Sequence, residues 1–204
     1  MGNTCSGSDN FNKNNSKGKQ DLIKKSFQRA KQSECKVVIL GNSAVGKTSI
    51  VLRYLENKFS EAQIVTLGAT FQQPLVKMKN GENLKMNLWD TTGEEKFRSM
   101  LPLYYKNIKG AILTYDIGNK KSFESIGYWI NELNEHIQGE NIVLFLVGSK
   151  KDLPSEQREV STETAASFAK ENGMMFLEVS SKVGENINKL FLTLAEELSM
   201  RFKF

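Results

Sequence analysis

Cysteine occurs only twice in the 204 residues, at Cys5 and Cys35, and histidine only once, at His136. Two widely separated thiols build neither a disulfide framework nor a metal-ligand cluster, so a reducing, cytosolic setting fits. Cys35, at the start of an apolar run, reads as a small apolar filler, and His136 in a polar helical stretch as a solvated surface residue. Long apolar runs are missing too. No stretch approaches the roughly 18 residues of a spanning helix, and the N-terminus is polar where a secretory signal needs an apolar core. Internal repeats are absent.

What remains suits one well-buried domain with a tail, at about 100–200 residues per domain. Apolar residues at 39% and charged residues at 25% are ordinary globular composition. The net charge of +5 lies entirely in residues 1–33, where Lys13, Lys17, Lys19, Lys24, Lys25, Arg29 and Lys31 face only Asp9 and Asp21. Rich in Asn, Lys, Ser and Gly, residues 1–33 read as a flexible basic leader, and 34–204 as a neutral folded domain. Within the leader, "LIKKSFQRAK" (22–31) has the pattern of a short basic amphipathic helix. Such a leader predicts an anionic membrane surface rather than nucleic acid, since Phe11 and Phe27 offer no stacking platform.

From Lys36 onward, apolar runs at 35–41, 111–117, 141–149 and 175–180 predict buried parallel strands, and helical patterns fall near 46–57, 122–137, 161–172 and 185–200. Asn80-Gly81 between two alternating segments predicts a hairpin over 71–90. The expected fold is α/β: a six-stranded, mostly parallel sheet with one antiparallel edge strand and helices on both faces. Ligands then belong at the carboxyl ends of the strands.

"GNSAVGKT" (41–48) follows the first strand and opens a helix, the context that the G-x-x-x-x-G-K-[ST] loop requires. Gly41 and Gly46 let backbone N–H groups converge on phosphate, with Ser43, Ala44, Val45 and Ser49 completing the cradle. Lys47 is expected at the β- and γ-phosphates and the Thr48 hydroxyl at Mg²⁺. The loop alone indicates a nucleoside triphosphate and leaves the base open. "LWDTTGEE" (88–95) delivers Asp90 at a strand end for magnesium and Gly93 for the γ-phosphate. "GSKKD" (148–152) and "SSK" (180–182) end the next two strands. Asp152 can accept both hydrogens of guanine's Watson–Crick edge, whereas adenine presents an acceptor there. Ser149, Ser180 and the backbone N–H of Ser181 complete the base site, and the stems of Lys150 and Lys182 cover the ring faces. A P-loop ATPase or kinase is disfavoured by Asp152.

With these residues assembled, the chain resembles the Ras superfamily of small GTPases over about 34–200, and within it the Rab family. "LWDTTGEEKFRSMLPLYYKN" (88–107) is similar to the Rab signature with its paired tyrosines, and "TLGATF" (66–71) to the end of the first switch in the endosomal, Rab-five-like branch. The resemblance implies a G domain that binds GTP, GDP and Mg²⁺ and hydrolyses GTP slowly, with Lys47, Thr66, Gly93 and Glu94 at the reacting phosphate. It implies that Thr66 reaches Mg²⁺ only when GTP is bound, and that Phe71, Trp89 and Tyr104 form a patch read by effectors. Exchange factors and GTPase-activating proteins are the further partners implied, the chain itself acting as a monomer in vesicular, endocytic traffic.

Three departures stand out. Glu94 replaces the family's water-orienting Gln, and an ionised carboxylate accepts hydrogen bonds without donating any. The sign of its effect on rate stays open, and a GTP-binding scaffold with little hydrolysis is the alternative it raises. Ser149 replaces an Asn of the guanine motif, from which we expect lost bonds to the base and phosphate loop and faster nucleotide exchange. The chain ends "MRFKF" without prenylation cysteines, while "MGNTCS" matches the myristoylation pattern on Gly2, with Cys5 placed for palmitoylation. The expected location is the cytosolic face of endosomal, vacuolar or plasma membranes, held by lipid.

Overall fold

A computed structural model describes residues 1–2, 33–62, 65–137 and 141–203. Cys5 and the helix expected over 22–31 lie outside the described residues.

Seven strands join one sheet: β1 (Ser33–Leu40), β2 (Ala69–Gln72), β3 (Leu75–Lys77), β4 (Asn83–Thr91), β5 (Gly110–Asp116), β6 (Val143–Ser149) and β7 (Met175–Glu178). Their order is β2-β4-β1-β5-β6-β7, with β3 also paired to β4. Contacts of β4, β5, β6 and β7 along the series from β1 are parallel, and those of β2 and β3 with β4 antiparallel. Six strands were expected. The seventh arises because Gln73 and Pro74 divide the antiparallel edge: proline has no N–H for the ladder, although the Pro74 carbonyl still accepts from Met86 N at 2.9 Å.

The helices are α1 (Lys47–Glu56), α2 (Pro102–Tyr105), α3 (Lys120–Glu124), α4 (Ile126–His136), α5 (Thr162–Glu171) and α6 (Ile187–Phe202). The single helix expected over 122–137 is two, meeting at Ser125; Asn119 caps the first by accepting from Ser122 N at 3.2 Å. The short α2, opened by Pro102, is too brief for a period to announce it. At the hairpin, Gly81 N donates to the Met78 carbonyl and Asn80 Oδ1 accepts from Glu82 N, both at 3.0 Å.

Alternation along buried strands divides the core between the two sheet faces. Val37 and Ile39 join Leu190, Phe191, Leu194 and Leu198 of α6 on one side. Val38 and Leu40 join Trp129 and Leu133 of α4 and Ala165 and Ala169 of α5 on the other. Truncating a buried leucine such as Leu194 to alanine should cost about 2–5 kcal/mol. With both faces covered, the open places are the strand ends, and the order reverses at β1, which puts a crevice where its loop leaves. Among the described residues no helix is long and apolar enough to cross a membrane.

Candidate nucleotide site

That crevice is a cleft of about 420 Å³, in the range of small-molecule sites. Ser43, Ala44, Gly46, Lys47, Thr48 and Ser49 line its phosphate side, Thr66 and Gly93 its mouth, and Ser149, Lys150, Asp152, Ser181 and Lys182 its far end. Gly41, Val45, Asp90 and Ser180 stand just behind this lining and act on it through bonds.

The loop 41–46 is built on close backbone approach. At Gly41, φ is +142° and an added Cβ would lie 2.2 Å from the Thr114 carbonyl oxygen of β5. At Gly93 a Cβ would lie 2.3–2.4 Å from backbone atoms of Asn42 and Ser43. At Gly93 the two phosphate-side loops thus meet main chain to main chain. Asn42 fixes the outer side: its Oδ1 accepts from Trp129 Nε1 at 3.1 Å and its Nδ2 donates to Ser125 Oγ at 3.0 Å.

Lys47 is buried, and its ammonium donates to the carbonyls of Gly41 and Asn42, both at 2.8 Å. Burial pulls its pKa down to about 8, against the pull of the Asp90 carboxylate. A phosphate in the cleft would favour the charged form again.

Thr48, Thr66 and Asp90 arrive from three separate elements. Thr48 Oγ1 donates to Asp90 Oδ2 at 2.7 Å, and so accepts from the Thr66 hydroxyl at 2.8 Å. Asp90 Oδ1 is buried with no partner among the described residues. Burial pushes the Asp90 carboxyl up, while the Thr48 hydrogen bond and Lys47 draw it back. Two hydroxyls and a carboxylate with a spare buried oxygen are the hard-oxygen set that Mg²⁺ takes beside phosphate and water. The residues fit the ion.

On the base side, Asp152 Oδ1 accepts from Ser180 Oγ at 2.5 Å. Lys150 pairs with Asp116 at 2.6 Å, and Lys182 with Glu61 at 2.9 Å. Ser149 corrects an expectation. Its hydroxyl lies 2.6 Å from the Val45 carbonyl and 2.9 Å from that of Tyr115, so the bond to the phosphate loop is retained despite the shorter side chain. Close approach explains it: a Cβ on Gly46 would be only 3.8 Å from the Ser149 Cβ.

Glu94 does not line the cleft. Its Oε2 pairs with Lys96 at 2.7 Å, and it borders a neighbouring hollow with Asn42, Ser43, Gly93, Glu95 and Arg98. Phe71, Trp89 and Tyr104 come together at the surface, with ring centroids 4.9 and 5.0 Å apart in succession. Phe71 is 43% exposed. Gly2 is exposed.

Sequence reasoning missed Phe59, Ser60, Glu61, Val65, Thr91 and Leu153, which also line the cleft. Thr91 and Leu153 adjoin Asp90 and Asp152, so adjacency was a usable signal. The other four come from an irregular segment without periodicity.

A Ras family profile matches residues 36–200. The Ras-related protein Rab-5B of Plasmodium falciparum is 42% identical over 176 residues, covering 86% of this chain and 83% of that protein. The GTP-binding protein ypt5 of Schizosaccharomyces pombe is 39% identical over 168 residues, covering 82% and 79%. The Ras-related protein Rab-5A of Dictyostelium discoideum is 42% identical over 164 residues, 80% of each chain. With the loop, the hydroxyl–carboxylate cluster and the paired strand ends in one cleft, the chain belongs to the Ras family and, within it, to the GTP-hydrolysing Rab proteins of the Rab5 type.

Proposed function

We propose that this protein is a GTP/GDP switch for endocytic vesicle traffic, anchored by acyl chains at its N-terminus to the cytosolic face of endosomal or related membranes. The observation that carries the reading is the Thr48–Thr66–Asp90 cluster, because it ties the loop before β2 to the phosphate side of the cleft.

Thr48, Thr66 and Asp90 would hold Mg²⁺, which neutralises charge on the β- and γ-phosphates when bound. Lys47 exchanges its carbonyl partners for phosphate oxygens, and Gly93 offers its N–H from a backbone pressed against Asn42. Asp152 reads the guanine edge, and Ser149 holds the floor of the loop. With GTP bound, Thr66 and Gly93 share the terminal phosphate; its loss removes the partner common to both loops, and they relax. Partners then distinguish the states at the Phe71–Trp89–Tyr104 patch, whose first two rings lie on β2 and β4 between those loops and whose third lies on α2. Family membership favours this over a scaffold that keeps GTP intact.

At the membrane, a myristoyl chain on Gly2 binds marginally, about 10⁴ M⁻¹, and palmitate on Cys5 makes residence lasting. Each leader Lys or Arg near anionic lipid adds about 1 kcal/mol.

Single-turnover hydrolysis of GTP by the Mg²⁺-loaded full chain tests the switch: slow conversion to GDP is expected, and GTP that stays intact over many hours would sink it. For the anchor, Gly2→Ala should move the protein from the membrane to the cytosolic fraction; unaltered sedimentation with membranes would refute acylation.

A further inference from the structure

The loop 180–186, which closes the base end of the cleft, is held from outside by a residue of α1. Arg53 Nε donates to the Ser181 carbonyl at 2.5 Å and Nη2 to the Lys182 carbonyl at 2.7 Å. Nη1 donates to the backbone and side-chain oxygens of Asn57, both at 3.0 Å. The planar fork is therefore engaged on both sides in one orientation. Its stem passes the same loop, Cδ lying 3.8 Å from where a side chain on Gly184 would begin.

Peptide planarity carries this grip inward. In a trans peptide the carbonyl and the following N–H point opposite ways, so fixing the Lys182 carbonyl on Arg53 aims Val183 N–H into the loop. There it donates to Ser180 Oγ at 3.2 Å, and Ser180 Oγ donates to Asp152 Oδ1 at 2.5 Å. Arg53 is thus three bonds from the carboxylate that reads the base. The Glu61–Lys182 pair touches the same loop, but its side chains are 76% and 54% exposed, and such pairs contribute little.

We propose that Arg53 is a positioning residue for guanine recognition: by fixing the 181–182 and 182–183 peptide planes it holds Ser180 and Asp152 in register with the base, so that α1 helps to set how long the nucleotide stays. This rests on the guanine-nucleotide reading of the cleft. On that reading Asp152 accepts from guanine's exocyclic amine, which inosine lacks, so the effect must depend on the base.

The test compares release of GDP and IDP from the full-length protein and Arg53→Met, which keeps the stem and loses the fork. GDP release should rise about tenfold, as for loss of charge-assisted hydrogen bonds, IDP release distinctly less, and the preference for GDP should shrink. Arg53→Lys, which keeps charge and one donor, should give about a threefold rise and carries the test if Arg53→Met does not fold. Unchanged GDP release, or equal acceleration of GDP and IDP, overturns the proposal while leaving the switch reading intact. A native protein that retains neither nucleotide overturns both.

Discussion

The Ser149 hydroxyl reaches the Val45 carbonyl at 2.6 Å, joining the end of β6 to the floor of the phosphate loop. A shorter side chain does here what an amide does in the family's motif, because β6 runs close under the loop. Removing the hydroxyl leaves a buried carbonyl short of a partner, worth about 1 kcal/mol. Ser149→Ala should accelerate GDP release about fivefold, and Ser149→Asn should change it by less than about threefold. A large slowing in Ser149→Asn, followed with fluorescent GDP, would mean that the hydroxyl fails where the amide succeeds.

Thr48 stands between Asp90 and Thr66 and is the only hydroxyl bonded to both among the described residues. Thr48→Val keeps the shape and removes the oxygen. The ratio of GDP release in EDTA to that in Mg²⁺ should fall about tenfold or more, chiefly through faster release with Mg²⁺. An unaltered ratio would take Thr48 out of the metal set.

Glu94 lies beside Lys96, 2.7 Å away without hydrogen-bond geometry, and does not line the cleft. A carboxylate so engaged is poorly placed as a base, whereas an amide at 94 loses the ion pair and gains a donor. We expect Glu94→Gln to raise single-turnover hydrolysis about tenfold, some 1.4 kcal/mol. Slower hydrolysis in that variant would assign the carboxylate a direct part in the reaction.

Burial pushes the Cys35 thiol pKa up to about 12. The folded state keeps its proton where the unfolded chain gives it up, so stability from this group is whole below about pH 8.5 and declines as pH rises toward 12. In a Cys5→Ser background no thiol should react rapidly with a disulfide reagent at pH 8 until denaturant is added, and Cys35→Val should flatten the alkaline decline. Fast labelling of the native chain would contradict this.

Legibility followed locality. The phosphate loop after β1 and the ends of β6 and β7 are each a short continuous segment that carries its geometry in residue type, so they could be read directly. Asn42, Arg53 and Ser125 act through partners up to 129 residues away, and no spacing announces such bonds. The patch of Phe71, Trp89 and Tyr104 was legible only through resemblance, since each aromatic alone suits a core equally well. The two-part edge strand was hidden for a simpler reason: alternation continues across Pro74, which gives the ladder a carbonyl but no N–H.

That interruption has a use beyond the fold. A long unbroken border strand offers its free N–H and carbonyl groups to any other chain, and crowding would bring many copies side by side. With β2 only four residues long and β3 three, separated by Gln73 and by Pro74 with no N–H, the border gives a neighbour too few consecutive bonds to template on. Even at high local concentration, this border is guarded against pairing with a second copy.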